Sequence, residues 1–320
     1  MLAKLFFISL CLFGGAKANI LLTFKNVMLT CETDNDVEEL AFVTSITANR
    51  LKPHLPSGQD CSKIAIEHSM IPILYDGSLA DITRVNILLL EDNKIEQIQP
   101  GAFRNLKVQE GMSLKFNRLT EIRSGVFNDI QVPFLYLSYN YISRIDRDAF
   151  DNMTSLRSLY LDNNKLAYID SNWFKNTPQL RKLVLQQNTI DYIPAFAFNN
   201  LAMSRYHSPE VDLSNNLIRL INRDAFKRER QWSRFNFVSL AHNEVQDLSL
   251  DWLKNVEIKT LDLSYNRIMC LNRGGLAGAN SVNYVDGNPW ICTCLQEVKQ
   301  KEFKKYGQVV AEEAFKRCQI

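Results

Sequence analysis

Histidine is scarce in this chain, with only His54, His68, His207 and His242. No nucleophile elbow, phosphate-cradling loop or metal-ligand spacing accompanies them. Acidic residues are scattered rather than paired. The sequence therefore offers no constellation for acid–base, nucleophilic or metal-assisted catalysis, and no cofactor is expected. Beyond the first residues there is no apolar run approaching the roughly 20 residues that span a bilayer. Excess charge is missing too: 37 basic residues face 35 acidic ones. Setting aside Lys4 and Lys17 of a removable leader leaves 35 against 35. That balance argues against general nucleic-acid or anionic-membrane binding. Cysteine is absent from residues 62–269.

What is present is a repeat. The stretch Leu156–Phe174 reads L-x-x-L-x-L-x-x-N-x-L-x-x-I-x-x-x-x-F. Leu159 and Leu161 share one face of a short strand, because side chains alternate along it. Leu166, Ile169 and Phe174 return apolar groups to the same interior. One copy cannot bury this face alone, whereas stacked copies cover one another. The Asn recurs at Asn93, Asn117, Asn140, Asn164, Asn188, Asn216, Asn243 and Asn266, at spacings of 24, 23, 24, 24, 28, 27 and 23. The Phe recurs at Phe103, Phe127, Phe150, Phe174, Phe198 and Phe226. A degenerate copy surrounds Ser69, with Ile64, Ile66, Ile71 and Leu74, and a truncated one surrounds Asn288.

This pattern resembles the leucine-rich repeat family in its extracellular form of about 24 residues. The resemblance covers roughly residues 60 to 294. It implies an α/β repeat fold: a right-handed solenoid with parallel strands on the concave face, an asparagine ladder between turns and a phenylalanine spine outside. The expected layout is a signal peptide at 1–18, an N-terminal cap at 19–61, about nine repeats at 62–287 and a C-terminal cysteine cap at 288–320.

The leader reads as secretory: Lys4, a short apolar core at 5–13, and the A-x-A site Ala16-Lys17-Ala18. Six cysteines remain after its removal, in an oxidising compartment, so disulfides rather than zinc sites are expected. They sit at the two ends of the array, where exposed repeats need caps. Cys31 and Cys61 are the two at the N-terminal end and are paired. The stretch VEELAFVTSITANRL between them is ambiguous between helix and strand.

At the other end Asn288-Pro289-Trp290-Ile291-Cys292-Thr293-Cys294 resembles the opening of the family's C-terminal cysteine cap. Leu295, Val298, Phe303 and Tyr306 then mark an amphipathic helix. One fewer downstream cysteine is present than such caps usually carry. Cys270 follows Asn266 by four residues, as Cys292 follows Asn288. Equal phase on adjacent turns places them about 5 Å apart. The expected bridges are Cys270–Cys292 and Cys294–Cys318, with Cys270–Cys294 and Cys292–Cys318 as the alternative. Asn152-Met153-Thr154 is a glycosylation sequon on the outer side of its repeat.

Core packing does not constrain the odd strand positions. In the first repeats they give an aromatic half: Ile87, Leu89, Phe116, Phe134, Tyr136, Tyr139 and Tyr160. Later they turn polar: Lys182, Gln186, Gln187, Glu210, Asp212, Asn215 and Asp262. Clustered Tyr and Phe are enriched at protein interfaces. The first expectation is therefore a secreted recognition protein with an extracellular protein ligand on the concave face. Its length, leader, caps and degenerate first repeat resemble insect extracellular leucine-rich proteins, including the leucine-rich immune proteins of mosquitoes, in a short form without a coiled coil. The alternatives are a matrix component and an inhibitor of a secreted enzyme. The matrix component would bind sulfated glycan through Arg223, Lys227, Arg228, Arg230 and Arg234, and the inhibitor would use the concave face.

Overall fold

A computed structural model describes residues 22–33, 40–56, 61–202, 207–228, 232–246, 253, 255–270, 281–297 and 308–320. The leader, Arg230, and Val298, Phe303 and Tyr306 lie outside these residues.

Each repeat contributes one short strand to a 13-stranded sheet, and the solenoid strands are parallel and in register. Leu135, Leu159, Leu183 and Val211 stand side by side and are fully buried. Their neighbours along each strand face the other way. On the outer side the chain forms shorter parallel pairs, such as Glu121–Ile122 with Arg144–Ile145, or a 3-10 turn at Ser171–Phe174.

Asparagine holds the bend between the two sides. Asn164 is buried, and its Nδ2 donates to the carbonyls of Leu137, Leu161 and Asp162. Its Oδ1 accepts from the Ile142 amide at 2.9 Å. Asn188 repeats the set one turn on, with Leu161, Leu185, Gln186 and the Leu166 amide. A buried amide is tolerated because its capacity is met, and it meets that of four backbone groups. The ladder runs on to Asn288, which accepts from the Ile268 amide and donates to the Leu263 carbonyl. At the degenerate first copy Ser69 gives its backbone amide to Asn93 Oδ1, and its hydroxyl donates locally to the Glu67 carbonyl.

The residue before each marker adopts a left-handed backbone, from His68 (φ 53°) through Phe116, Tyr139 and Asn163 (each φ 56°) to Tyr265 (φ 55°). This conformation reverses the chain so that the marker side chain turns inward. It costs an L-residue roughly 1–2 kcal/mol, offset here by the ladder.

All six spine phenylalanines are buried, and Phe103–Phe127 and Phe127–Phe150 stack at 5.6 and 6.1 Å. Trp173 joins this layer and donates its indole N–H to the Ile145 carbonyl. The length anomalies resolve partly as longer strands. Ser233–Ser239 pairs with Val256–Asp262 over Ser233 to Phe235 as well as the usual positions. Buried Phe235 meets Phe198 and Phe226 edge-on.

At the N-terminal end the ambiguous stretch forms a strand over Leu40–Ala48. β1 (Phe24–Thr33) and β2 (Leu40–Ala48) form an antiparallel hairpin, and β1 also pairs antiparallel with β3 (Lys63–Ala65). Cys31–Cys61 closes, with Cα atoms 5.4 Å apart.

The C-terminal bridges differ from the expected Cys270–Cys292 and Cys294–Cys318. Cys270 joins Cys294 and Cys292 joins Cys318. The equal-phase argument requires the chain after Asn288 to repeat the path taken after Asn266. Instead residues 292–297 are helical. Each helical residue turns the side chain by about 100°, so Cys292 and Cys294 point roughly 200° apart. One faces the preceding turn and Cys270. The other faces the closing helix Glu312–Cys318. Leu295 on the first helix is buried as expected.

Candidate functional site

The unconstrained strand positions form two straight columns on the concave face. One runs Ile87, Gly111, Phe134, Ser158, Lys182, Glu210. The other runs Leu89, Ser113, Tyr136, Tyr160, Val184, Asp212. Register alone brings the aromatic residues together, since a shift by one residue would turn every one of them inward.

Tyr136 and Tyr160 stack, with centroids 4.5 Å apart and planes within 14°. Lys115 Nζ stands 4.7 Å from the Tyr136 ring centre, and Lys182 Nζ stands 5.8 Å from that of Tyr160. In strand order the four side chains form one stack, Lys–Tyr–Tyr–Lys. An ammonium over an aromatic face is attracted by the ring quadrupole. Burial, acting first, raises the pKa of both phenols, so they remain hydroxyl donors at neutral pH. Sequence reading found the tyrosines but missed Lys115, and placed Lys182 with the polar half. The available signal was that Lys115 sits two residues beyond a strand position, on the same face.

A second stacked pair lies where the strands end. Phe116 and Tyr139 have centroids 4.6 Å apart. They are 50% and 48% exposed and both occupy the left-handed column. Bulky residues there are genuine outliers, so their presence is not explained by backbone preference.

Ile87 and Leu89 stand two strands from Phe134 and Tyr136, about 9–10 Å away by strand spacing. Only Gly111 and Ser113 lie between them. The Tyr136 ring leans over this floor of small residues, its edge 3.5 Å from where a side-chain carbon on Gly111 would sit. Glu91 and Lys115 flank that floor, Glu91 accepting from the Ser113 hydroxyl. The polar half is partly engaged with itself. Asp212 accepts from the Ser214 amide and hydroxyl, Asp262 from the Ser264 amide, and Glu210 from Asn236.

The structure does not gather the described basic residues of 223–234 into one surface. Arg223 and Lys227 both pair with Asp224, at 3.6 and 2.8 Å. Arg228 donates to the Asn199 and Leu201 carbonyls, and burial lowers its pKa. Arg234 sits on a strand and pairs with Glu257 at 3.0 Å. Asn152 is exposed, its amide donating to Asp129. Among the described residues no group of three His, Cys, Asp or Glu could share a metal ion. None of their helices is long and apolar enough to cross a membrane.

Known proteins echo this architecture. A leucine rich repeat family model matches residues 110–166 and 159–206. Toll-like receptor 9 of Mus musculus is 28% identical over 113 residues, 33% of this chain and 11% of that protein. Leucine-rich repeat-containing protein 3B of Danio rerio is 35% identical over 86 residues, 26% of this chain and 32% of that one. The chain therefore spans only a tenth to a third of the curated relatives it matches. A leucine-rich repeat protein of Leptospira interrogans superposes on 71% of this chain and 55% of its own, at 20% identity and a TM-score of 0.53. With the ladder, the register and the phenylalanine spine, these matches identify a leucine-rich repeat protein. Three disulfides fit an extracellular setting.

Proposed function

We propose that this is a secreted recognition protein that binds an extracellular protein ligand on its concave face. The observation that carries this reading is the half-exposed Lys115–Tyr136–Tyr160–Lys182 stack beside the strained Phe116–Tyr139 pair. Rigid aromatic area costs little conformational entropy on binding. The flanking ammonium groups favour a ligand that presents carboxylates or carbonyls to the phenols. In this reading residues 1–18 are a removed leader and a sugar on Asn152 leaves the concave face clear. The likeness to insect leucine-rich immune proteins supports a place in innate immunity.

A glycan-binding role for the 223–234 segment has less behind it, because Arg228 is spent on backbone carbonyls and its neighbours on carboxylates. Capture from extracellular fluid tests the proposal. The wild-type protein should retain a specific protein partner. The Tyr136→Ala, Tyr160→Ala double variant should lose it while melting at nearly the same temperature. Undiminished capture by the folded double variant would remove the proposal. A partner that proves to be an enzyme would assign inhibition to the same face.

A further inference from the structure

Beyond Glu210 and Asp212 the two concave columns do not stay polar. One continues through Phe237 and Thr260, the other through Ser239, Asp262 and Tyr284. Phe237 is half-buried and Tyr284 is 40% exposed. Where these strands end, His242 and Tyr265 stack, both exposed and both on a left-handed backbone. The face thus carries a second aromatic surface toward its C-terminal end. Its charge is of one sign. From Glu210 to the closing strand Gln308–Val310, the charged residues in the two columns are Glu210, Asp212 and Asp262, and none is basic. Lys182, on the preceding strand, stands 3.9 Å from Glu210, and Lys259 lies one residue before Thr260, outside the columns. Asp212 and Asp262 have only the small, buried Ser239 between them. Their strands are therefore about 9–10 Å apart. The two carboxylates are held alike. Oδ1 of Asp212 accepts from the Ser214 amide and hydroxyl, and Oδ1 of Asp262 accepts from the Ser264 amide. Among the described residues no hydrogen bond reaches either Oδ2. Phe237 precedes Ser239 by two residues on the same face, and Tyr284 adjoins Asp262.

We propose that these rings and the Asp212–Asp262 pair receive an arginine of the protein ligand. This deepens the concave-face reading and rests on it, adding a second contact and its chemistry. Charge complementarity selects the occupant. An acidic segment would meet three carboxylates, whereas a cation is attracted by all of them. A guanidinium carries donors on both sides of its plane's edge and can bridge Asp212 and Asp262, where an ammonium meets one of them. Flat and weakly hydrated, it also lies favourably against the face of Phe237 or Tyr284. Tyr160 and Ser239 belong to the same column, three strands apart. That is about 14–15 Å by strand spacing. A ligand seated on the Tyr136–Tyr160 stack reaches the carboxylate pair with an arginine about four or five extended residues away. It presents acceptors to Lys115 and Lys182 at one end and a cation at the other, which fixes its direction along the trough.

Fluorescence anisotropy with labelled hexa-arginine tests this on the full, disulfide-intact chain, with hexa-lysine and the uncharged hexa-citrulline as comparisons. Hexa-arginine should bind, less tightly as salt rises. It should bind more tightly than hexa-lysine, and hexa-citrulline should not bind. The double variant Asp212→Asn, Asp262→Asn keeps both Oδ1 acceptors and removes only charge. It should weaken hexa-arginine binding at least about tenfold with an unchanged melting temperature. Asp148→Asn, Asp191→Asn makes the same charge change at exposed residues outside the columns and should leave binding within about twofold. A chain that does not bind hexa-arginine would overturn the proposal. So would hexa-lysine binding as tightly, undiminished binding by the folded Asp212, Asp262 variant, or an equal loss in the Asp148, Asp191 variant. The two readings fail separately. Partner capture that depends on Tyr136 and Tyr160, without hexa-arginine binding, sinks the arginine site alone. Hexa-arginine bound through Asp212 and Asp262, with capture indifferent to the tyrosines, sinks the aromatic-stack reading and keeps the arginine site.

Discussion

The ring of Tyr265 occupies the space that a side chain on Gly287 would need. Gly287 has φ +67° and directly precedes the last marker, Asn288. Tyr265 holds the equivalent place one turn earlier and stacks on His242 at 4.4 Å. Gly287→Ala therefore meets both a left-handed backbone and a ring. The expected loss is about 2–4 kcal/mol, read as a lower melting temperature. Tyr265→Ala in the same background removes the ring and should recover part of it.

Asn164→Ala takes the partner of the Ile142 amide and one of the donors to each of the Leu137, Leu161 and Asp162 carbonyls. Those carbonyls keep the Asn140 side chain, the Asn188 side chain and the Tyr139 amide respectively. One buried donor is thus left unsatisfied, at about 1–3 kcal/mol, and with the three weakened carbonyls a total of about 2–4 kcal/mol is expected. The Ile142 amide should lose hydrogen-exchange protection while amides several turns away keep theirs, because turns contact only their neighbours. Retained protection at Ile142 would remove the ladder's energetic role.

Cys318→Ser distinguishes the two cap connectivities. With Cys292–Cys318 formed in the native chain, this variant frees the thiol of Cys292 and leaves Cys270–Cys294 intact. Alkylation followed by fragmentation of the peptide holding both cysteines should find the label on Cys292. A label on Cys294 would restore the pairing expected from equal phase.

Acid should loosen the outer side of the solenoid. Burial pushes the Asp170 carboxyl up, but hydrogen bonds from the Asn172 backbone and side chain and from Arg147 outweigh it and leave the pKa lowered. Glu244 is lowered chiefly by its hydrogen bond from Arg219. A carboxylate depressed in the folded state contributes stability that is present above its unfolded value, near 4. That stability is lost as pH falls through the folded value. Thermal stability should be flat between about pH 7 and 5 and decline below about 4. Asp170→Asn should melt lower at neutral pH and show a shallower acid decline. An unchanged acid slope would mean that Asp170 takes no part.

Much of this architecture was readable along the chain. Leu159, Asn164 and Phe174 belong to one repeat, and the spacing of each from the next already says which way it faces. A strand's two-residue period and the marker's fixed offset are local properties, so core, ladder and spine could be assigned without coordinates. The aromatic columns followed, because positions that do not face the core must face out. Residues 40–48 were less readable. Their apolar content fits a helix or a strand, and only pairing with β1 decides between them.

The remainder needed the folded molecule, because it depends on angles between elements far apart in sequence. Lys115 and Lys182 are 67 residues apart and cap one aromatic stack only because four strands lie in register. The cysteine partners depend on a helix that begins at Cys292 and turns two nearby thiols in opposite directions. Arg228 looked free to meet a ligand until the fold set it against the carbonyls of Asn199 and Leu201. Periodicity decides which side of the chain is buried; relative rotation of distant segments decides which surface groups meet.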